Sequence, residues 1–476
     1  MPLGRRELLH VLLGAAAWAT AATAAAGCSS TDDGTGDATD REDHDMTDTP
    51  AGRARDAFLA GFPLVTTART MQTFADLIGV NRLFVTPGLV DPRSHLVVGP
   101  NRDTVYALAV VDLRAGPQVL SLPAIPDRYH VVQFLDAWMG GFGLVGTRTT
   151  GGRAGSWAIV PPDHDGPLPE GAGRLECPTD QAFVLARIRA VDDADAADAV
   201  AVGRRIELRP LPPPRRDDRA AERAEPPTLP PPPGRPEETG ANGAAFFDEL
   251  GDALAVNRPV TPEQRAAIDG AAALGVGPGR HPAADGNEED VAVLERAVAD
   301  GLRELERQEG VPVRVVNGWA VNLNLGTPET DRGLKERAIV ARYFWGPVPA
   351  EEAVYPRAVA DADGRPLDGA RRYRIRFPAG GLPPVEAFWS LTVYGPDMFL
   401  VPNPAGRYSL SGDTPGLVTN ADGSLDVLLQ REPPAGREAN WLPVPDGPFN
   451  LIMRLYLPGE AVVDGTYEYP PVTPID

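Results

Sequence analysis

Two long stretches of this chain alternate apolar and polar residues between turns of Gly, Pro and Asp, and that pattern confines it to a β-rich fold. The first extends from about residue 84 to 205 and holds the runs Val105–Val111, Gln118–Leu122, Tyr129–Phe134, Trp157–Val160 and Ala182–Ile188. Short period-two runs bounded by turn residues are strands of a sandwich or barrel. The second, from about 338 to 470, has the same character. Elsewhere the period lengthens. Over 53–83, Phe58, Phe62, Leu64, Met71, Phe74, Leu77 and Ile78 recur near helical spacing, with Pro63 marking an expected break. Over 244–337, Phe246-Phe247 and the stripe Val291, Leu294, Ala297, Leu302 and Leu305 predict helices. The expected fold is mainly β with helical connections, comprising two β-sandwich or jelly-roll-like domains at 84–209 and 338–476. Residues 210–243, with the runs Pro212–Pro214 and Pro230–Pro233, form a Pro-rich linker or insertion. Pro123–Trp138 and Pro383–Tyr394 both place Pro before a long aromatic strand, an echo that suggests related β units.

The N-terminus follows the order of an export signal. Arg5 and Arg6 precede the apolar Leu8–Trp18, then small residues to Ala25-Ala26-Gly27-Cys28. Gly4–Leu9 resembles a twin-arginine signal. Ala25–Cys28 resembles a bacterial lipobox, with Ala25 where Leu is usual. Residues 1–28 thus read as a signal peptide with lipidation at Cys28; an ordinary cleavable signal with an incidental Cys is the alternative. Residues 29–52 are rich in Asp, Thr, Gly and Ser and read as a disordered acidic tether. The expected location is extracytoplasmic, lipid-anchored to the cell membrane. With 45 basic against 66 acidic residues, the net charge of −21 excludes nucleic acid as a partner. If Cys28 carries lipid, Cys177 stands alone and no disulfide forms within the chain.

Asp103 and Asp136, with Arg102 and Arg148 and beside Tyr106 and Trp138, make the best polar group. Paired carboxylates beside aromatics suit acid/base work on a glycan; the arginines suit a grip on a polar ligand. The alternative is structural: Asp103 caps a turn and Asp136 pairs with Arg148. Trp441, in an expected loop, is a further ligand contact. Asn322 and Asn324 alternate and would share a strand face. His95, His130, His164 and His281 lack the spacing of a metal site. The glycine runs do not follow the strand-to-helix order of a nucleotide loop, so no phosphate site is expected, and neither a metal nor another cofactor is expected.

Asn101–Tyr106, Gln133–Trp138 and Gly146–Thr149 resemble the DUF1254 domain. Phe388–Tyr394, Asn403-Pro404, Arg407–Ser409, Asp422–Leu425, Asn440–Pro443 and Arg454–Pro458 resemble the DUF1214 domain. The resemblance implies two all-β domains in that order, linked by helices, and supplies no reaction. The leading reading is a cell-envelope lipoprotein binding a small molecule or glycan. The alternatives are an envelope hydrolase using carboxylate acid/base chemistry and a structural or protein-interaction module. Oligomeric state stays open.

Overall fold

The structure is a computed structural model that describes residues 49–94, 99–211, 238–309, 311–326, 331–358 and 360–475. Cys28, the expected signal, the tether as far as residue 48, His95 and the prolines of 212–237 lie outside the described residues. No helix among those described is long and apolar enough to cross a membrane.

Strands β1 (Phe84–Val85), β2 (Thr104–Asp112), β3 (Gln118–Leu122), β4 (His130–Asp136), β5 (Gly141–Gly146), β6 (Gly155–Val160), β7 (Gly173–Glu176), β8 (Gln181–Arg189) and β9 (Glu207–Pro210) build the first sandwich. Its sheets run β1-β2-β8-β4-β5 and β7-β6-β3-β9. Alternation decides what lies between them. Val105, Ala107, Ala109 and Val111 on β2, and Ala182, Val184, Ala186 and Ile188 on β8, fill the core.

The second sandwich uses β10 (Arg314–Val316), β11 (Trp319–Val321), β12 (Ala353–Val354), β13 (Arg357–Ala358), β14 (Arg372–Phe377), β15 (Val385–Tyr394), β16 (Ser409–Ser411), β17 (Leu425–Gln430), β18 (Trp441–Pro443), β19 (Asn450–Pro458) and β20 (Val472–Ile475). One sheet runs β10-β11-β13-β19-β15-β16, with β12 also on β19; the other runs β18-β17-β14-β20. Trp389, Leu391 and Val393 of β15 and Leu451, Met453 and Leu455 of β19 face the second core. Strands β10 and β11 fall inside the stretch expected to be helical. Strand β11 ends at Val321, so Asn322 and Asn324 do not share a strand face; the Asn322 side-chain oxygen instead accepts the Asn324 N–H at 2.8 Å in a turn.

The two sandwiches repeat one topology. In each, an antiparallel pair (β3-β6, β14-β17) gains an antiparallel neighbour (β9, β20) and a parallel one (β7, β18). In each larger sheet, β8 or β19 lies between β2 or β13 and β4 or β15, with β5 or β16 beyond. The echoing strands β4 and β15 occupy the same place. The register makes residues equivalent. Val131 faces Arg187 and Gly146, as Ser390 faces Arg454 and Ser411. Arg187 therefore corresponds to Arg454, Arg189 to Tyr456, Gln133 to Thr392, Leu135 to Tyr394 and Tyr129 to Phe388. Thr104 faces Arg189 and Ala353 faces Tyr456, so Asp103 corresponds to Glu352 and Tyr106 to Tyr355.

The helices gather beside the sandwiches. Helix Pro50–Ile78 does not break at Pro63, because Phe58, Phe62, Leu64 and Val65 around the proline are buried and hold it from several sides. It packs on helices Ala245–Val256, Pro262–Gly270, Glu288–Arg307 and Leu334–Tyr343. The boundary expected at 337/338 falls within the last of these. Sequence supplies the caps: Thr261 and Gln264 form a capping box before Pro262, and Asn287 caps a first turn of Glu288, Glu289 and Asp290.

Candidate binding site between the sandwiches

Strand β8 is buried at every position. Its core-facing residues are small and apolar, whereas its other face reads Phe183, Leu185, Arg187, Arg189. Its Arg187–Arg189 end meets the outer face of the second large sheet, while Phe183 and Leu185 pack with Met71 and Phe74 of helix Pro50–Ile78. Tyr129 packs against Phe388 and Tyr456, with ring centroids 5.7 and 5.1 Å apart. The Arg189 guanidinium lies 3.9 Å from the Phe388 ring centroid. Because Tyr129 corresponds to Phe388 and Tyr456 to Arg189, the last two contacts are one contact seen from both halves. The interface is therefore pseudo-two-fold, the arrangement of a self-complementary dimer within one chain.

Charges at this interface are buried, so each needs a partner. Asp103 is 2% exposed. It accepts the Ser390 hydroxyl at 2.5 Å and lies 3.6 Å from Arg189. Arg189 also donates to Ser411 at 3.1 Å and reaches Asp413 at 3.3 Å. At the equivalent place, Glu352 accepts the Tyr129 hydroxyl and the Arg148 Nε–H, both at 2.8 Å. Asn101 donates to the Tyr456 hydroxyl at 2.6 Å. Arg454 donates to Thr392 Oγ1 at 2.9 Å, to the Gly99 carbonyl at 2.9 Å and to the Tyr394 hydroxyl at 2.5 Å.

Arg454 has neutral acceptors alone, and Arg187 has fewer of them. Arg187 is 8% exposed, and it donates to Gln133 Oε1 at 2.9 Å and the Gly346 carbonyl at 3.2 Å. No carboxylate lies within ion-pair distance of it among the described residues. Its titratable neighbours are phenols: Tyr355, Tyr106, Tyr456 and Tyr129. Burial pushes the phenols of Tyr129, Tyr355 and Tyr456 above their ordinary range, so they stay neutral donors and supply no countercharge. Tyr106, Tyr355 and Trp345 are only half-buried. The Trp345 indole N–H finds no acceptor among the described residues.

The residues singled out from sequence divide accordingly. Asp103, Tyr106 and Arg148 lie on the shared face. Arg102 is at its margin, paired with Asp193 at 2.5 Å and 5.6 Å from the Tyr408 ring centroid. Asp136 is not near Asp103. Asp136 faces Ala182 and Thr104 faces Arg189, so the two carboxylates sit at opposite ends of β8, roughly 23 Å apart at the rise of a strand. That span is too wide for one glycosidic bond. Asp136 does not pair with Arg148, whose partner is Glu352. Its Oδ1 accepts the N–H groups of Trp138 and Gly140, each at 2.8 Å, and so shapes the β4–β5 turn, where Met139 has φ 68°. The turn drives Trp138 into the helical core, where its indole N–H meets the Arg258 carbonyl at 2.9 Å. Trp441 is in β18 rather than a loop; it is buried and donates to the Gln430 carbonyl at 2.7 Å. His130 is buried, with Nδ1 3.0 Å from the Arg128 carbonyl. Sequence reasoning passed over Arg187, Arg189, Glu352 and Tyr355, and took Arg454 and Tyr456 only as part of a family motif. A pair of arginines two apart on an otherwise apolar strand was the available signal.

Residues 80–210 match the family model described as "Protein of unknown function (DUF1254)", and residues 352–460 match "Protein of unknown function (DUF1214)". The two matches, in this order on one chain, support the two-domain pairing. No curated protein matches the chain. Among solved structures, the VPA0106 protein from Vibrio parahaemolyticus is similar in fold, with a TM-score of 0.69 and 22% identity over 90% of this chain and 100% of that one. An uncharacterised protein from Burkholderia cenocepacia aligns over 92% of this chain and 96% of its own at 12% identity, with a TM-score of 0.45, too low to establish a shared fold.

Proposed function

We propose that this chain, with its DUF1254 region followed by a DUF1214 region, is an exported lipoprotein anchored through Cys28 that binds a small polar molecule, such as a sugar, between its two sandwiches. One observation carries the binding reading: a buried polar face in which Tyr106 and Tyr355, of intermediate burial, lie near Arg187, whose acceptors are both neutral. Partly buried aromatics beside convergent donors are what a ligand pocket offers. In this reading Asp103 and Arg148 set the walls, while Asp136, Trp138 and Trp441 hold the scaffold.

The test is a thermal-shift panel of neutral and acidic sugars on the full-length chain in detergent. A ligand at about 100 times its dissociation constant stabilises by roughly 2.7 kcal/mol. A shift that Tyr106→Ala abolishes supports the site; a panel with no shift, or a shift indifferent to Tyr106, overturns it. For the anchor, metabolic labelling with a fatty acid should mark the wild type and not Cys28→Ser. Equal labelling of both would remove Cys28 from that role.

A further inference from the structure

The internal repeat provides a control that a single domain could not. Arg187 and Arg454 hold the same place on β8 and β19, each facing outward into the shared interface. Arg454 is satisfied by the chain itself: Thr392 and Tyr394 on the neighbouring strand and the Gly99 carbonyl take its N–H groups. The nearby charge of Asp103 also favours its cationic form. In the first half the residue matching Thr392 is Gln133, which does bond Arg187. The residue matching Tyr394 is Leu135, which is buried and apolar and offers nothing. Glu352, the counterpart of Asp103, is spent on Tyr129 and Arg148. A guanidinium remains charged at every physiological pH; Arg454 offsets its burial with three acceptors and the field of Asp103, whereas Arg187 has two acceptors and no carboxylate within ion-pair distance among the described residues. Arg357, two residues beyond Tyr355, is similarly short of partners: it donates to Asn450 Oδ1 at 2.6 Å, has no carboxylate within ion-pair distance among the described residues, and its Nε is unbonded.

From this asymmetry we infer that the ligand of the proposed site is an organic anion whose carboxylate or phosphate oxygens bind the Arg187 guanidinium, with Tyr106, which faces Arg187 across the strand pair, beside it. The inference rests on the interdomain site proposed above and names its ligand class. The planar fork of Arg187 suits two oxygens of one oxyanion. The aromatic neighbours suit the rest of a small organic body. Arg454, already filled, binds none.

The experiment is isothermal titration of the full-length chain in detergent with glucuronate, glucose, acetate and inorganic phosphate, at low and at moderate salt. Glucuronate should bind saturably and glucose should not. Acetate and phosphate separate the two oxyanions, and binding of either together with glucuronate supports the inference. In Arg187→Gln the affinity should fall about 10- to 100-fold, the loss expected for a hydrogen bond to a charged group. Should Arg187→Gln fail to fold, Tyr106→Phe removes only a hydroxyl from a half-buried side chain and should weaken anion binding about 3- to 10-fold. Glucose binding as tightly as glucuronate would overturn the anion assignment and leave the site standing. Anion binding unchanged in the folded variants would overturn Arg187 as its anchor. No binding of any probe would overturn both.

Discussion

The Tyr129–Glu352 hydrogen bond joins the two sandwiches at a point where water does not reach, and its strength can be worked out beforehand. Glu352 is 1% exposed and holds two donors at 2.8 Å, the Tyr129 hydroxyl and the Arg148 Nε–H. The Arg148 side chain is 37% exposed, so solvent screens that ion pair and it contributes about 0–1 kcal/mol. The tyrosine bond is buried and runs to a charged acceptor, which sets its worth at about 1.5–3 kcal/mol. Glu352→Gln keeps the shape and one acceptor but turns a charge-assisted bond into a neutral one, for a total loss of about 2 kcal/mol. Tyr129→Phe should cost a similar amount. Measured together by urea unfolding, the two substitutions should not add: the double variant should be about 1 kcal/mol more stable than the sum of the singles implies. Additivity within about 0.5 kcal/mol would refute the coupling and with it the claim that this bond ties the sandwiches together.

Asp136→Ala strips acceptors from two backbone N–H groups in a buried turn and should destabilise the protein by about 2–4 kcal/mol in the same assay; a loss below about 0.5 kcal/mol would show that the turn does not depend on the carboxylate. Burial holds the His130 imidazolium pKa below its ordinary 6.5, opposed by the hydrogen bond to the Arg128 carbonyl. Because the unfolded chain then takes the proton first, this contribution is complete above about pH 6.5 and is lost as pH falls through the lowered native value. His130→Gln should accordingly flatten the decline in urea midpoint between pH 7.5 and 5.5, and an unchanged slope would count against a neutral buried imidazole.

Much of the fold was legible because both sandwiches obey period two. Ala182, Val184, Ala186 and Ile188 announce a core face by themselves, and the aromatic strands β4 and β15 were visible as echoes. What stayed hidden depends on pairings far apart in the chain. Nothing local tells that helix Pro50–Ile78 packs on helices beyond residue 245, and that packing is what carries the helix through Pro63. Strands β10 and β11 are three residues each, too short for periodicity to register against a helical background. At the site, Asp103 and Tyr106 stood out because they lie in a polar motif. Arg187, in an apolar run, and Glu352, beside Glu351, did not, since each acquires its meaning only from the opposite sandwich. Trp138 and Trp441 looked like exposed aromatics beside turns; each instead buries its ring and spends its N–H on a carbonyl.

The most direct test of the central claim is a bromide soak of crystals of this protein, read by anomalous scattering. The account predicts an anomalous peak in contact with the Arg187 guanidinium and none at Arg454, its counterpart in the other sandwich. A peak missing from Arg187, or equal peaks at both arginines, would contradict the claim that one half of this repeat was left open for an anion.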